Sequence, residues 1–338
     1  MDSNIINFLN QHYSQEAISS LRLLTGGGSE RKYYRFFDNN QSYILCQSSN
    51  IEENKTFFYY TEELKKTVSN VPTIYMISND FSLYVQTDLG DETLMNIIQT
   101  NENKAKKYYF EIIELLAKTQ LEAGKSIDFY KAYSYPRLDK TLILRDLFLF
   151  KFYFLNSINI TYNQGKLIKD FDLFASQFEQ LSPKGFVFRD FQSRNIMIKD
   201  NKPYFIDYQG GLYGPIFYDL VSLTWQAKAN LSTDFKNELY NHYFGQIQKL
   251  DETIVPIDCR RSYEYCVVAR LLQVLGAYGL RGLIERKSHF IESISFGLDN
   301  LKSILDYPIL QNYPELKRII TVLTETETKE QINNIING

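Results

Sequence analysis

The chain has 338 residues, a formal net charge of −3 and an aromatic-rich composition with 26 Tyr and 24 Phe. That length holds two domains or one large bilobal unit with an ample core, and the near-neutral charge removes any general electrostatic case for nucleic acid or an anionic membrane as partner. Cys46, Cys259 and Cys266 form neither a disulfide framework nor a zinc site; with no leader-like pattern at residues 1–6 and no apolar run near the roughly 20 residues of a membrane span, a cytoplasmic protein is expected.

Residues 4–18 have helical spacing of Ile5, Ile6, Phe8, Leu9 and Ile18. A strand at 20–24 runs into Thr25-Gly-Gly-Gly-Ser29 and out through a second strand at 32–37. Three glycines between strands let backbone N–H groups approach a phosphate with no Cβ in the way, and they equally suit a flexible hairpin tip. The segment is not a Walker A, which continues through Gly-Lys-Ser/Thr into a helix. A third strand at 42–47 precedes a helix at 52–68 with Phe57, Phe58, Tyr60, Leu64 and Val68 in one stripe. Strands at 72–77 and 83–86 flank the turn Ser78-Asn-Asp80. Residues 1–87 thus read as a small, mostly antiparallel sheet with one helix, and Thr87-Asp-Leu-Gly-Asp91 as the linker into an almost wholly helical remainder.

Helices are expected at 92–99, 103–123, 138–154, 169–181, 218–228, 232–249, 258–280 and 288–306, with a loop at 156–166 and, over 311–338, short helices and a mobile Thr/Glu/Lys-rich tail. Within the apolar helix at 138–154, Arg145 and Asp146 are costly to bury without a partner. They are candidates for a buried ion pair or for contacts to a polar ligand.

The stretch 185–211 differs from its helical surroundings. It reads as a strand at 186–188 and a hairpin of 196–199 and 203–206 around Asp200-Asn201-Lys202. Asp190, Asn195 and Asp207 each end an apolar run, where a rigid scaffold can fix a polar group. Asp-x4-Asn, followed after a hairpin by Asp, is the order of kinase catalytic and metal loops. There one Asp accepts the proton of the attacking hydroxyl. The Asn and the second Asp hold magnesium, a hard ion that keeps several waters and needs few protein oxygens. Asp-x4-Asn alone reads more plainly as a polar loop; the hairpin and Asp207 in register favour the catalytic reading.

Leu24-Thr-Gly-Gly-Gly-Ser-Glu-Arg-Lys-Tyr-Tyr-Arg-Phe36, Val85-Gln-Thr-Asp-Leu-Gly-Asp91, Phe188-Arg-Asp-Phe-Gln-Ser-Arg-Asn-Ile-Met197 and Phe205-Ile-Asp-Tyr-Gln-Gly-Gly211 resemble the aminoglycoside-phosphotransferase-like small-molecule kinases. The likeness is greatest to the anomeric kinases of N-acetylmuramate and N-acetylglucosamine in cell-wall recycling. Gly214-Pro-Ile-Phe-Tyr-Asp-Leu-Val-Ser-Leu223 and Arg270-Leu-Leu-Gln-Val-Leu-Gly-Ala-Tyr-Gly279 agree with that subgroup. The resemblance implies an α+β, protein-kinase-like bilobal fold, with an N-lobe over 1–87 and a mainly helical C-lobe over 88–338. It implies ATP and Mg2+ as cofactors, and transfer of the γ-phosphoryl to a small-molecule hydroxyl, first of all the anomeric hydroxyl of an amino sugar. The alternatives are another metabolite kinase of the family, acting on an aminoglycoside, choline, homoserine or methylthioribose, and a non-catalytic nucleotide-binding pseudokinase. Aminoglycosides fit less well, because their kinases carry an acidic cleft and the acidic residues here are spread out. The sequence names no protein partner.

Carried over residue by residue, the resemblance makes Asp190 the catalytic base and Asn195 and Asp207 the metal ligands. Gly26, Gly27, Gly28 and Ser29 cover the phosphates, and Arg35, Gln86 and Asp88 complete the nucleotide site. Asp219 braces the catalytic loop in the family, or is a simple helix N-cap. Gln192, Arg194, Tyr208 and Gln209 project from the catalytic loops and join Asp146 as acceptor-binding candidates. Lys228 is a further candidate for an anionic acceptor group. Two departures from the kinase pattern stand out. Phe188 replaces the frequent His, and the strand at 42–47 carries Cys46 and no phosphate-gripping Lys. Arg31, Lys32 and Arg35 are the nearest cations, and Glu52, Glu53, Glu62 and Glu63 the available helix partners. Alternation pairs Lys32 with Tyr34 and Tyr33 with Arg35, without deciding which pair faces the nucleotide.

Overall fold

The computed structural model describes residues 2–24 and 31–337, so the expected phosphate-covering residues Gly26, Gly27, Gly28 and Ser29 lie outside the described residues. Two short helices, α1 (Ser3–Leu9) and α2 (Gln15–Ser19), replace the single helix expected over 4–18. Ser14 makes the break by accepting the Ala17 N–H at 3.1 Å, a capping signal inside a stretch whose apolar spacing ran on. Then come β1 (Arg22–Leu24), β2 (Lys32–Asp38), β3 (Gln41–Gln47), α3 (Ile51–Thr67), β4 (Ile74–Ile77) and β5 (Leu83–Thr87). The strands form an antiparallel sheet in the order β1-β2-β3-β5-β4. Asn39 and Asn40 join β2 to β3 with φ of 48° and 64°, the left-handed pair that a two-residue hairpin requires and Asn tolerates.

The two faces of this sheet bury against different elements. Phe36, Leu45, Leu83 and Val85 pack with Ile5, Phe8, Leu9 and Ile18 of α1 and α2, and Tyr34 joins them. Cys46 and Tyr84 pack with Phe57, Phe58 and Tyr60 of α3. Tyr33 pairs with Cys46, and Arg35 with Ile44, across the β2–β3 ladder. Tyr33 and Arg35, and not Lys32 and Tyr34, therefore face α3 and the C-lobe.

The remainder is α4 (Leu94–Thr100), α5 (Glu102–Lys118), α6 (Gly124–Ser126), α7 (Lys140–Leu149), α8 (Gln164–Glu179), β6 (Lys184–Val187), β7 (Ile196–Lys199), β8 (Lys202–Phe205), β9 (Leu212–Pro215), α9 (Phe217–Thr224), α10 (Thr233–Leu250), α11 (Pro256–Tyr278), α12 (Ser288–Lys302), α13 (Pro314–Leu323) and α14 (Thr326–Asn337). β7 and β8 close over Asp200 and Asn201, again at positive φ. β6 pairs with β9, a strand hidden in the sequence by its brevity and its Gly and Pro. α8 opens inside the loop expected at 156–166 because Asn163 caps it, accepting the Lys166 N–H at 3.0 Å. Residues 311–337 carry the short helices expected there, α13 and α14, and the tail expected to be mobile is docked: Ile332 is buried, and Arg286 donates to the Ile335 carbonyl at 3.0 Å.

Against the expectation of no span-length apolar run, Pro256–Ile284 is long and apolar enough to cross a membrane; 61% of its apolar window is buried inside the fold. It is the central helix of the C-lobe, packed on α7, α9 and α12. At Gly279 the absence of a Cβ lets the Tyr153 carbonyl come into contact. A membrane-like composition is what a helix surrounded on all sides by protein acquires.

Candidate active site

The catalytic loop leaves β6 through a strained backbone. Arg189 has φ 73° and Asp207 φ 63°, a conformation costing a non-glycine residue about 1–3 kcal/mol and persisting only where its surroundings impose it. For Arg189 they do. Asp219 accepts the Phe188 N–H on Oδ2 at 2.7 Å and the Arg189 N–H on Oδ1 at 2.9 Å. Gln120 Nε2 donates to the same Oδ2 at 3.0 Å, and the Tyr243 hydroxyl donates to Gln120 Oε1 at 2.5 Å. Gln120 lies in a π-turn, residues 119–123, that continues α5; such turns re-aim side chains at functional sites. Asp219 does not cap α9, whose N-cap is Ile216; its carboxylate is spent on the catalytic loop. Full burial pushes that carboxyl up to about 7, against the pull of the N–H donors.

Asp190 keeps about half of its side-chain surface open, 51%, while Arg270, 5% exposed, sits 3.2 Å from its Oδ1. Desolvation raises the Asp190 pKa, but Arg270, Arg189 and Arg194 outweigh it and hold the carboxyl below the usual range. Arg270 Nη1 also reaches the Arg189 carbonyl at 3.4 Å and Gln273 Oε1 at 3.0 Å. No motif in the sequence assigns Arg270 a role. Its signal was the one used for Asp146: a lone charge in the apolar run Val267–Leu272 of a long helix. Gln226 was also missed; its Oε1 accepts the Ser193 N–H at 3.0 Å and hydroxyl at 2.6 Å, pinning the loop between Asp190 and Asn195.

Asn195 Nδ2 donates to the Asp190 carbonyl at 2.9 Å and to Asp207 Oδ2 at 3.1 Å. The three residues of the sequence pattern therefore meet in one place. Gln209 joins them, donating from Nε2 to Asp207 Oδ1 at 2.8 Å. Its Oε1 is buried with no partner among the described residues, so Gln209 belongs beside the Asp207 carboxylate and not with the acceptor candidates. Among the described residues no three His, Cys, Asp or Glu cluster to hold a metal alone. One carboxylate and two amide oxygens do suit a hard ion that is completed by phosphate and water.

Tyr208 is not an acceptor contact. Its ring is fully buried, stacked on Phe57 at 5.1 Å, and its hydroxyl is 2.7 Å from Thr61 Oγ1. It bolts the loop that carries Asp207 to α3. Arg35 is likewise committed, its Nε 2.7 Å from Asp88 and its Nη2 2.8 Å from Asp91. Arg35 and Asp88 are thus paired at the hinge, Nη2 donating to Asp88 Oδ1 at 3.1 Å, while the buried Arg35 Nε and Gln86 Oε1 have no hydrogen-bond partner among the described residues. Lys228 pairs with Glu292 at 3.0 Å, beyond the end of α9 at Thr224. Gln192 stays by Asp190, 3.5 Å from Oδ1, and Arg194 is exposed. Asp146 forms the ion pair that was one of its two readings. Oδ1 takes Arg145 at 2.7 Å and lies 3.6 Å from Arg189, and Oδ2 is buried without a partner among the described residues.

The phosphotransferase enzyme family (APH) model matches residues 20–252. An N-acetylmuramate/N-acetylglucosamine kinase of Neisseria meningitidis serogroup B is 26% identical over 78% of this chain and 77% of its own length. The enzyme of the same name from Pseudomonas aeruginosa is 24% identical over 62% of this chain and 61% of its own length. Among solved structures, a Plasmodium vivax ethanolamine kinase superposes with a TM-score of 0.58 at 14% identity, covering 90% of this chain and 86% of its own. The chain belongs to the phosphotransferase enzyme family and is a small-molecule kinase.

Proposed function

We propose that this kinase moves the γ-phosphoryl group of ATP to the anomeric hydroxyl of an amino sugar, N-acetylmuramate or N-acetylglucosamine. The observation that carries the reading is the single cluster of Asp190, Asn195 and Asp207 with guanidiniums on its acceptor side. Arg145, Arg189, Arg194 and Arg270 stand around the carboxylates of Asp190 and Asp146. That excess of positive charge suits an acceptor bearing a carboxylate, such as the lactyl group of N-acetylmuramate, and repels a polycationic aminoglycoside. The names of the Neisseria and Pseudomonas relatives point the same way.

In this reading the acceptor hydroxyl gives its proton to Asp190 while its oxygen forms the new bond to the γ-phosphorus. The bond to the β–γ bridging oxygen breaks, and ADP leaves with the electron pair. Asp207, Asn195 Oδ1 and the orphan Gln209 Oε1 would hold Mg2+, which neutralises charge on the phosphates. Asp146 Oδ2 accepts a hydrogen bond from the sugar, the partner it lacks among the described residues. The test is ATP consumption over a panel of sugars and amino alcohols, with Asp190→Ala as control. Turnover on N-acetylmuramate or N-acetylglucosamine, lost in the control and with a 1-O-methyl glycoside, is expected. Turnover confined to choline, homoserine or another acceptor would overturn the substrate.

A further inference from the structure

The kinase fold ordinarily grips the nucleotide phosphates with a Lys on the third strand, paired to a Glu on the N-lobe helix. Here β3 supplies Cys46 on the cleft-facing side of the sheet, fully buried against Tyr33 and Tyr84. A cation is nevertheless present, delivered from the neighbouring strand. Arg31 immediately precedes β2, two residues before Tyr33, and so falls on the same face. Its Nη2 is 3.4 Å from Glu53 on α3 and 3.4 Å from Asn54 Oδ1. The helix Glu of the ordinary pair is thus present too, and Glu53 is that residue among the four acids considered.

Two observations say that this guanidinium is aimed at a ligand. Its side chain is only 5% exposed, yet Nε is buried with no hydrogen-bond partner among the described residues. A buried, charged donor left unpaired is costly. Arg31 also stands on the Asp207 side of the sheet: the phenols of Tyr33, its neighbour on that face, and of Tyr133 each feel the charges of both Arg31 and Asp207. Lys32 is exposed, and Arg35, whose Nε also lacks a hydrogen bond among the described residues, already has that Nε 2.7 Å from Asp88 and its Nη2 2.8 Å from Asp91.

We infer that Arg31, oriented by Glu53, takes the place of the strand-3 Lys and binds the phosphates of the nucleotide through its free Nε–H edge. The inference rests on the phosphotransferase reading and names the residue that completes its nucleotide site. Arg31 is a binding residue and Glu53 a positioning residue. Guanidinium offers a planar fork to phosphate that an ammonium does not.

The test is binding of Mg-ADP and of adenosine, by calorimetry, to wild type, Arg31→Gln, Arg31→Lys and Glu53→Gln, with melting temperatures as a check on folding. Arg31→Gln should weaken Mg-ADP by roughly 10-fold or more, a charge-assisted bond's worth, and leave adenosine within about 2-fold. Arg31→Lys should recover part of the loss, and Glu53→Gln should raise the KM for ATP more than it lowers kcat. Unchanged Mg-ADP affinity in Arg31→Gln, or an equal loss for adenosine, overturns the inference while leaving the kinase reading intact. If wild type itself binds neither nucleotide, the nucleotide site and this inference fall together. A variant that melts at the wild-type temperature and still loses only the phosphate-dependent affinity supports it.

Discussion

Arg270 Nη1 lies 3.2 Å from Asp190 Oδ1, pairing an almost buried guanidinium with a carboxylate half open to the cleft. Arg270 comes from the middle of α11, 80 residues downstream of Asp190, so a largely buried helix positions the exposed carboxylate proposed as the base. The pairing, with Arg189 and Arg194, holds Asp190 below the usual carboxylate range. A weakened base is no handicap in a loose phosphoryl-transfer transition state, where positioning does most of the work. The depressed carboxyl contributes stability above the unfolded value of about 3.9, lost as pH falls through the lower folded value. Activity governed by Asp190 should therefore stay flat down to about pH 4. Arg270→Gln should raise the acid limb of kcat/KM, and Arg270→Lys should raise it less. Superimposable acid limbs in a pH–rate profile would remove the electrostatic role assigned to Arg270.

Asp207 and Asp190 should separate binding from chemistry. If Asp207 and Asn195 hold Mg2+, ATP with Mg2+ should stabilise the wild type by about 2.7 kcal/mol at a hundredfold excess over Kd. EDTA should remove most of that gain, and Asp207→Ala should abolish the metal-dependent part. Asp190→Ala should keep it while lowering kcat by about 10²–10⁴. Thermal shifts with and without metal, beside a turnover assay, read both; an Asp207→Ala enzyme still stabilised by metal and ATP would move the metal elsewhere.

The meeting of Asp190, Asn195 and Asp207 was legible because their spacing is local: they lie on one loop and one hairpin, and each ends an apolar run. The strands were legible for the same reason, since alternation and the turns at Ser78-Asn-Asp80 and Asp200-Asn201 are short-range signals. What escaped was set by packing between distant segments. Tyr208 stands next to the metal carboxylate in sequence, but its ring turns into the core against Phe57 and Thr61. Which of the strand cations faces the cleft depended on which side of the sheet α3 occupies. Gln120 required a π-turn that no periodicity announces, and Arg35 required the hinge acids to lie beside β2.

Asp219→Asn should cost more than its similarity of shape implies. The amide offers one oxygen where the carboxylate accepts the N–H groups of Phe188 and Arg189 and the Gln120 amide. Turning an NH2 toward one of those donors should cost about 1–3 kcal/mol, and it releases the left-handed backbone at Arg189, so kcat should fall as well. The pH dependence has a definite sign. With its folded carboxyl raised to about 7, Asp219 contributes stability that is complete below the unfolded value of about 3.9 and is lost as pH rises through about 7. The wild-type advantage over Asp219→Asn should therefore shrink between those limits. Denaturant melts of both proteins at pH 4, 5.5, 7 and 8 check it; a constant difference would assign the carboxyl an unshifted pKa.

Tyr208 and Asp146 looked alike as acceptor contacts, and the structure parts them. Tyr208→Phe removes one buried hydroxyl contact with Thr61 and should lower stability by about 1 kcal/mol, with the acceptor KM unchanged. Asp146→Asn acts on the acceptor side instead. It removes the orphan carboxylate oxygen proposed to meet the sugar, and it withdraws the counter-charge from Arg145 and Arg189. The first effect should raise the acceptor KM by roughly 10-fold, the worth of a charged hydrogen bond, while the KM for ATP holds. The second should act selectively, because newly unpaired guanidiniums attract a carboxylate and are indifferent to a neutral sugar. N-acetylglucosamine should therefore lose more than N-acetylmuramate, shifting the ratio of their kcat/KM values toward the anionic acceptor. Steady-state kinetics with both sugars measure that ratio, and an equal loss for the two would detach the arginine cluster from acceptor recognition.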